Sequence, residues 1–418
     1  MMTLKPHQIA DRHFDALAAG YGDEQTLTVL IDGQLSRRKL LLRALIEELS
    51  ELPGPHQVWD RFERAWELLD EIQAETPDAV TGPDGVLRHP YFGAWAMSCL
   101  RELIGLRDNA QTFERIAQRL SYFGALVAVA AARAGRDTEL EVVTAEGGLA
   151  LPTMGRLSGY PAGTVVRLCV RGGEVTAAGP GHSVVELLER TRELAGGVRP
   201  IRLEDTDPFR DAFGFPVSDR LGAQSAAQWA QTFAAAWHLI AVQHRPYLPG
   251  LVTGLSSITP LAAQPSGAEA SAASRHAFGA LGSVLPATPP RLAVLLIHEF
   301  QHVKLGALLD LVPLLDDSDG QLYHAPWRPD PRPLPALLQG TYAHLAVTDF
   351  WRRHRHEAGS IAAAQRADER FAHWRGQTST VIDVMLASTG LTDAGRRFVT
   401  GMAAGIAPWL EEKVSTPA

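Results

Sequence analysis

His298 and His302 stand four residues apart, with Glu299 between them, in the stretch His298-Glu299-Phe300-Gln301-His302. On a helix, residues at that spacing lie about 40° apart around the axis and one turn apart, so both imidazoles can reach one point. Converging imidazoles hold a metal ion, and the glutamate beside them is the general base of zinc peptidases that carry this HExxH pattern. The neighbouring Leu292, Val294, Leu295, Leu296, Ile297, Val303, Leu305, Leu308 and Leu309 are apolar on almost every side, which predicts a buried helix. Two histidines and a glutamate are costly in such a helix unless they are ligated or paired. The bland alternative is a pair of core histidines satisfied by Glu299 and backbone carbonyls.

A third ligand is needed, and His344 is the favoured candidate, ahead of Asp349, Asp330 and His324. It lies on the helix predicted over residues 334–354, one turn after Gly340 on the same face. A glycine inside a helix is unfavourable by about 1 kcal/mol relative to alanine, so close approach of something bulky at Gly340 is expected. Asp349 lies about 140° around the axis from His344, so the two cannot face one metal. Between the two helices runs a proline-rich loop, Ala325-Pro326-Trp327-Arg328-Pro329-Asp330-Pro331-Arg332-Pro333. Arg328 and Arg332 on this stiff loop suit capture of a carboxylate, against the alternative of pairing with Asp330 or the Glu204–Asp207 segment. The segment 274–285 reads as a strand beside the cleft, offering an edge to an extended peptide or serving as an ordinary sheet strand. Lys304 lies about 160° from His302 and is read as structural.

The elements that must position these residues fall into three regions. Residues 1–135 show helical periodicity, as in Leu41, Leu42, Leu45, Ile46 and Leu49. Residues 136–200 read as a small β-rich unit, with strands over 139–143 and 164–170 followed by a helix over 183–194. Residues 201–418 form the metal-binding region: a polar turn over 203–210, a helix over 224–243, strands over 253–261 and 274–285, and a long helix opened by Pro289 and Pro290. The tail, 414–418, reads as frayed. The fold class is α+β, mainly α, with the HExxH domain expected to be zincin-like.

Composition narrows the function. Of 418 residues, 39 are Lys or Arg and 47 Asp or Glu, a net charge of -8 that argues against a nucleic-acid partner. The basic run Arg352-Arg353-His354-Arg355-His356 ends a helix and suits its dipole. Cys99 and Cys169 belong to no metal-type pair and are expected to be buried free thiols. No signal core precedes the chain's first helix and the apolar windows are short, so a cytoplasmic protein with no membrane partner is expected.

The residues from 298 to 305, the loop over 325–333, Gly340-Thr341-Tyr342-Ala343-His344 and Asp349-Phe350-Trp351-Arg352 resemble the HExxH-motif peptide-modification proteins. The segment 203–210 shares the likeness, which is specific over about residues 200–355. This resemblance implies an iron(II)- and 2-oxoglutarate-dependent dioxygenase that uses O2 to hydroxylate the β-carbon of a residue in a ribosomally synthesised precursor peptide, working alongside a radical-SAM maturase. The usual ligand set in iron dioxygenases is two histidines and a carboxylate; three histidines would depart from it. Glu299 is then a ligand, an orienting group or a tuning group, and Arg328, Arg332 or Arg275 anchors the cosubstrate. The alternative is a zinc peptidase in which Glu299 is the base. The first 200 residues would offer room for a leader peptide.

Overall fold

The computed structural model describes residues 7–414 except 52–55, 83, 106–111, 147, 180–187, 197–198, 266, 268 and 317–318. Among the described residues, six α-helices come first: α1 (Asp11–Ala18), α2 (Glu24–Ser50), α3 (His56–Glu75), α4 (Pro77–Thr81), α5 (Phe92–Gly105) and α6 (Thr112–Arg133). The Asp23 side chain caps α2 by accepting from the Thr26 N–H at 2.8 Å. Eight strands follow: β1 (Thr138–Val143), β2 (Leu149–Leu151), β3 (Gly155–Leu157), β4 (Val165–Arg171), β5 (Glu174–Ala178), β6 (Leu188–Arg190), β7 (Arg192–Leu194) and β8 (Ile201–Leu203). β1, β4 and β5 form one antiparallel sheet, and β2, β3 and β6 a second.

The rest of the chain comprises α7 (Ala223–Gln243), α8 (Leu248–Gly254), β9 (Ser257–Pro260), β10 (Ser271–Ala273), β11 (Ala280–Ser283), α9 (Pro289–Leu309), β12 (Leu322–Tyr323), β13 (Arg332–Pro333), α10 (Leu334–Glu357), α11 (Ile361–Ala387) and α12 (Asp393–Leu410). A five-stranded sheet runs in the order β10-β11-β9-β8-β7, with β10 at its edge. The fold is therefore α+β and mainly α. The three sequence regions are interleaved: β7 from the second pairs with β8 of the third, and α2 of the first packs on α9.

Several expected elements differ in detail. The helix expected over 183–194 is not one: residues 188–194 form β6 and β7, while 183–187 lie outside the described residues. Short apolar runs do not distinguish helix from strand, and here pairing to β3 and β8 decides. The strand over 253–261 shortens to β9, because α8 continues to Gly254. Of the strand expected over 274–285 only β11 forms; residues 274–279 are instead the turn that joins it to the antiparallel β10, with Gly279 at φ +90° allowing the reversal. The polar turn expected over 203–210 is buried at 204–207. Glu204, Asp205, Thr206 and Asp207 are all buried. Glu204 Oε1 accepts from the Thr206 and Asp207 N–H groups, and Asp207 Oδ2 accepts from Tyr122 at 2.6 Å and bonds His89 Nε2 at 2.8 Å. Cys99 is buried and free as expected; Cys169 is free but only half-buried.

α9 begins at the Thr288-Pro289-Pro290 stop and is buried among α2, α7 and α10. It is the one helix among the described residues long and apolar enough to cross a membrane, and most of it is buried inside the protein. Phe300 fits because Gly254 faces it: a Cβ there would lie 2.6 Å from the ring. On the side away from the motif, Gln301 and Lys304 both donate to the Gly20 carbonyl, at 3.0 and 2.9 Å, and Lys304 also donates to that of Tyr21. Gly20 adopts φ +87°, and the turn it makes links α1 to α2. The structural reading of Lys304 thus agrees with its surroundings; burial lowers its pKa to about 7.

His244, at the end of α7, is fully buried, stacks on Phe350 at 4.1 Å, and has no hydrogen-bond partner on either ring nitrogen among the described residues. Burial, then the nearby His354, lowers its pKa from 6.5 to about 3. The unfolded chain therefore takes up this proton first, so stability is full above about pH 6.5 and falls as the pH drops toward 3, by up to about 1.4 kcal/mol per pH unit. His244→Phe should flatten that slope. Urea midpoints at pH 7 and pH 5 check this; an unchanged difference between them would place the acid sensitivity elsewhere.

Candidate metal centre

The contact of α9 with α10 brings three imidazoles together. The His298 ring lies 5.0 Å from that of His302 and 5.3 Å from that of His344, centre to centre. His298, Glu299 and His302 also offer donor atoms within 4.8 Å of one another. A cavity of about 450 Å3 opens onto His298, Glu299 and His302, walled by β10, Arg275 and Gln339.

His344 lies outside that 4.8 Å donor group, and its place beside His298 is one of ring contact. His344 Nδ1 meets the Gly340 carbonyl at 2.8 Å, so it must donate, leaving a lone pair on Nε2. His302 Nδ1 meets Gln339 Oε1 at 3.0 Å and is held the same way. Burial first, then the neighbouring imidazoles, holds the His298 pKa well below its ordinary value; burial lowers that of His344 to about 4. The His298 and His344 rings are therefore held uncharged, with lone pairs available to a metal. This donor set fits a divalent transition metal.

The bulky group expected against Gly340 is Trp327. A Cβ on Gly340 would lie 3.0 Å from the indole nitrogen. The indole stacks on His344 at 4.3 Å with a 15° tilt, and Trp374 of α11 covers His344 at 4.6 Å. The pairing of β12 with β13 closes the base of the loop that carries Trp327. Glu299 is buried, and its Oε1 accepts from the Ser271 hydroxyl at 2.6 Å, tying the motif helix to the edge strand β10. Burial raises its pKa; the imidazole of His302, the Ser271 hydroxyl and the Ala273 N–H act against that.

The other ligand candidates lie elsewhere. Asp349 is buried in a cluster where it accepts from Tyr21, Tyr247, Arg352 and Arg353 at 2.8–3.2 Å. Asp330 is exposed and holds both Arg328 and Arg332 at 3.1 Å. His324 is exposed in the loop. Arg328 and Arg332 thus spend their charge on one carboxylate, and neither lines the cavity, so this geometry does not place them as carboxylate anchors. Arg275 does line it. It is 60% exposed at the side chain and pairs with Asp310 at 2.5 Å. Gln339, Ser271 and Trp374 were not singled out from the sequence. Gln339 alone had a readable signal, since it adjoins Gly340.

A larger cleft of about 1060 Å3 lies between α5, α6, β2 and the 206–214 segment, and Ser274 lines both it and the metal cavity.

Gln339→Ala should lower metal affinity about 10- to 100-fold by freeing the His302 ring. Gly340→Leu should displace Trp327 and weaken binding as well. Both are read by metal titration against a chromophoric chelator, and wild-type affinity in Gln339→Ala would mean His302 needs no such orientation. Compared with known proteins, the chain matches no family model and no curated sequence.

Proposed function

We propose that this chain is an iron(II)- and 2-oxoglutarate-dependent enzyme that hydroxylates the β-carbon of a residue in a ribosomally synthesised peptide, in concert with a radical-SAM maturase. The observation that carries the reading is the ring contact of His298 with both His302 and His344, where His298 and His302 open onto a cavity bordered by an arginine. Iron(II) with 2-oxoglutarate and O2 supplies an oxidant able to take hydrogen from an unactivated carbon, with decarboxylation of 2-oxoglutarate to succinate. The protein's own residues do the rest. Three neutral ligands leave the full charge of a divalent ion to attract a dicarboxylate. Arg275, on turning from Asp310 into the cavity, would pair with the distal carboxylate in a two-pronged contact. Glu299, fixed by Ser271, keeps the edge strand against the site. The open side of β10 can pair with an extended peptide, and the cleft beyond Ser274 has room for more of its length.

One observation favours a second reading. The Glu299 carboxylate lines the cavity 3.9 Å from His298 Nε2, which suits a zinc peptidase with Glu299 as proton acceptor.

Anaerobic addition of iron(II) and then 2-oxoglutarate should give a visible charge-transfer band, and oxygen with a peptide should yield succinate. His344→Ala should abolish both, and Arg275→Leu should raise the 2-oxoglutarate KM more than tenfold. No band and no succinate, with peptide cleavage by the zinc-loaded protein that Glu299→Gln abolishes, would replace this reading with the hydrolytic one.

A further inference from the structure

A second, smaller cavity lies away from the metal centre, where α2, the segment leading into β8 and the end of α8 meet. Its volume is about 40 Å3, room for roughly three water molecules or one small oxyanion. Four arginines line it, Arg38, Arg88, Arg199 and Arg202, and among the described residues no acidic residue does.

Among the described residues, two of these groups lack a matching carboxylate contact, Arg38 as a whole and Arg202 at its Nε. Arg38 is only 4% exposed. It donates to the carbonyls of Leu87 at 2.6 Å and Phe278 at 3.2 Å, which are neutral acceptors. Arg88 donates to the Thr81 carbonyl and feels the charges of Asp32, Asp84 and Asp78. Arg199 and Arg202 share one carboxylate, Asp84, at 2.9 and 3.5 Å, and that side chain is 61% exposed. The Arg202 Nε is buried without a hydrogen-bond partner among the described residues. Arginines are rarely buried unless paired, and a buried cation without a counter-ion is strongly unfavourable. Burial, then Arg37 and Arg88, lowers the Arg38 pKa to about 9, the same strain read from the proton's side. A chain with a net charge of -8 has gathered cations here.

We propose that this pocket binds a phosphate-class oxyanion, either inorganic phosphate or the phosphoryl group of a small molecule. Guanidinium forks match the paired oxygens of such an anion. The buried Arg38 and the unpartnered Arg202 Nε favour a multiply acceptor-bearing anion, and the volume admits the phosphoryl group itself, with anything attached to it lying outside the pocket. This site is independent of which metal or reaction belongs to the histidine centre.

The test is calorimetric titration of the full chain with inorganic phosphate, with ionic strength held constant by sodium chloride, alongside thermal melts. Saturable one-to-one binding and a raised melting temperature are expected. Arg202→Gln and Arg88→Gln should each weaken binding at least tenfold, while Arg43→Gln, on an exposed pair with Glu47, should not. Phenyl phosphate run in parallel separates the sources: equal or tighter binding assigns the pocket to a phosphorylated molecule, weaker binding to free phosphate. Absence of saturable binding, or an Arg202→Gln variant that binds phosphate like the parent, overturns the proposal.

Discussion

Three imidazoles can share one small space only if none of them carries a proton too many. Burial and mutual repulsion keep His298 and His344 uncharged, and acceptors on the Nδ1 side of His302 and His344 decide which nitrogen stays bare. That requirement shapes the protein around it. α9 has to be deep enough to exclude water, and α10 has to cross it at the right height. The opposite side of α9 must then satisfy its own polar side chains without solvent, which it does through the carbonyls of the α1–α2 turn. The N-terminal helices are therefore part of the support of the centre, not an appendage to it.

The same logic explains where the remaining charged groups went. Asp349, a carboxylate one helical face away from His344, is held by two tyrosines and two arginines, so its charge is balanced far from the imidazoles. Asp330 fixes the two arginines of the proline loop, and with them the loop's shape. What the loop delivers to the centre is an indole. Its function at the site is steric and aromatic, where its sequence pointed to charge.

Much of the centre was legible from spacing alone. The four-residue interval of His298 and His302, the apolar girdle around them and the out-of-place Gly340 each have a local cause, and each led to the right helix, face or contact. The partners of the rings were not legible in the same way. Ser271 reaches Glu299 from 28 residues away, and Trp374 comes from a helix with no marking motif. The same limit governed the fold. Long periodic helices such as α7, α9 and α10 appeared at nearly their true bounds, whereas β6 and β7 exist because of strands elsewhere in the chain. The burial of residues 204–207 also depended on distant partners, His89 and Tyr122, that no local pattern announces.

His344 touches two indoles, Trp327 nearly parallel to its ring and Trp374 tilted to it. An open-shell ion arriving at this ring comes within quenching range of both excited states, whereas a closed-shell ion leaves their emission largely intact. The packing around this ring would thus give the protein a built-in optical report on the electronic character of any ion bound there.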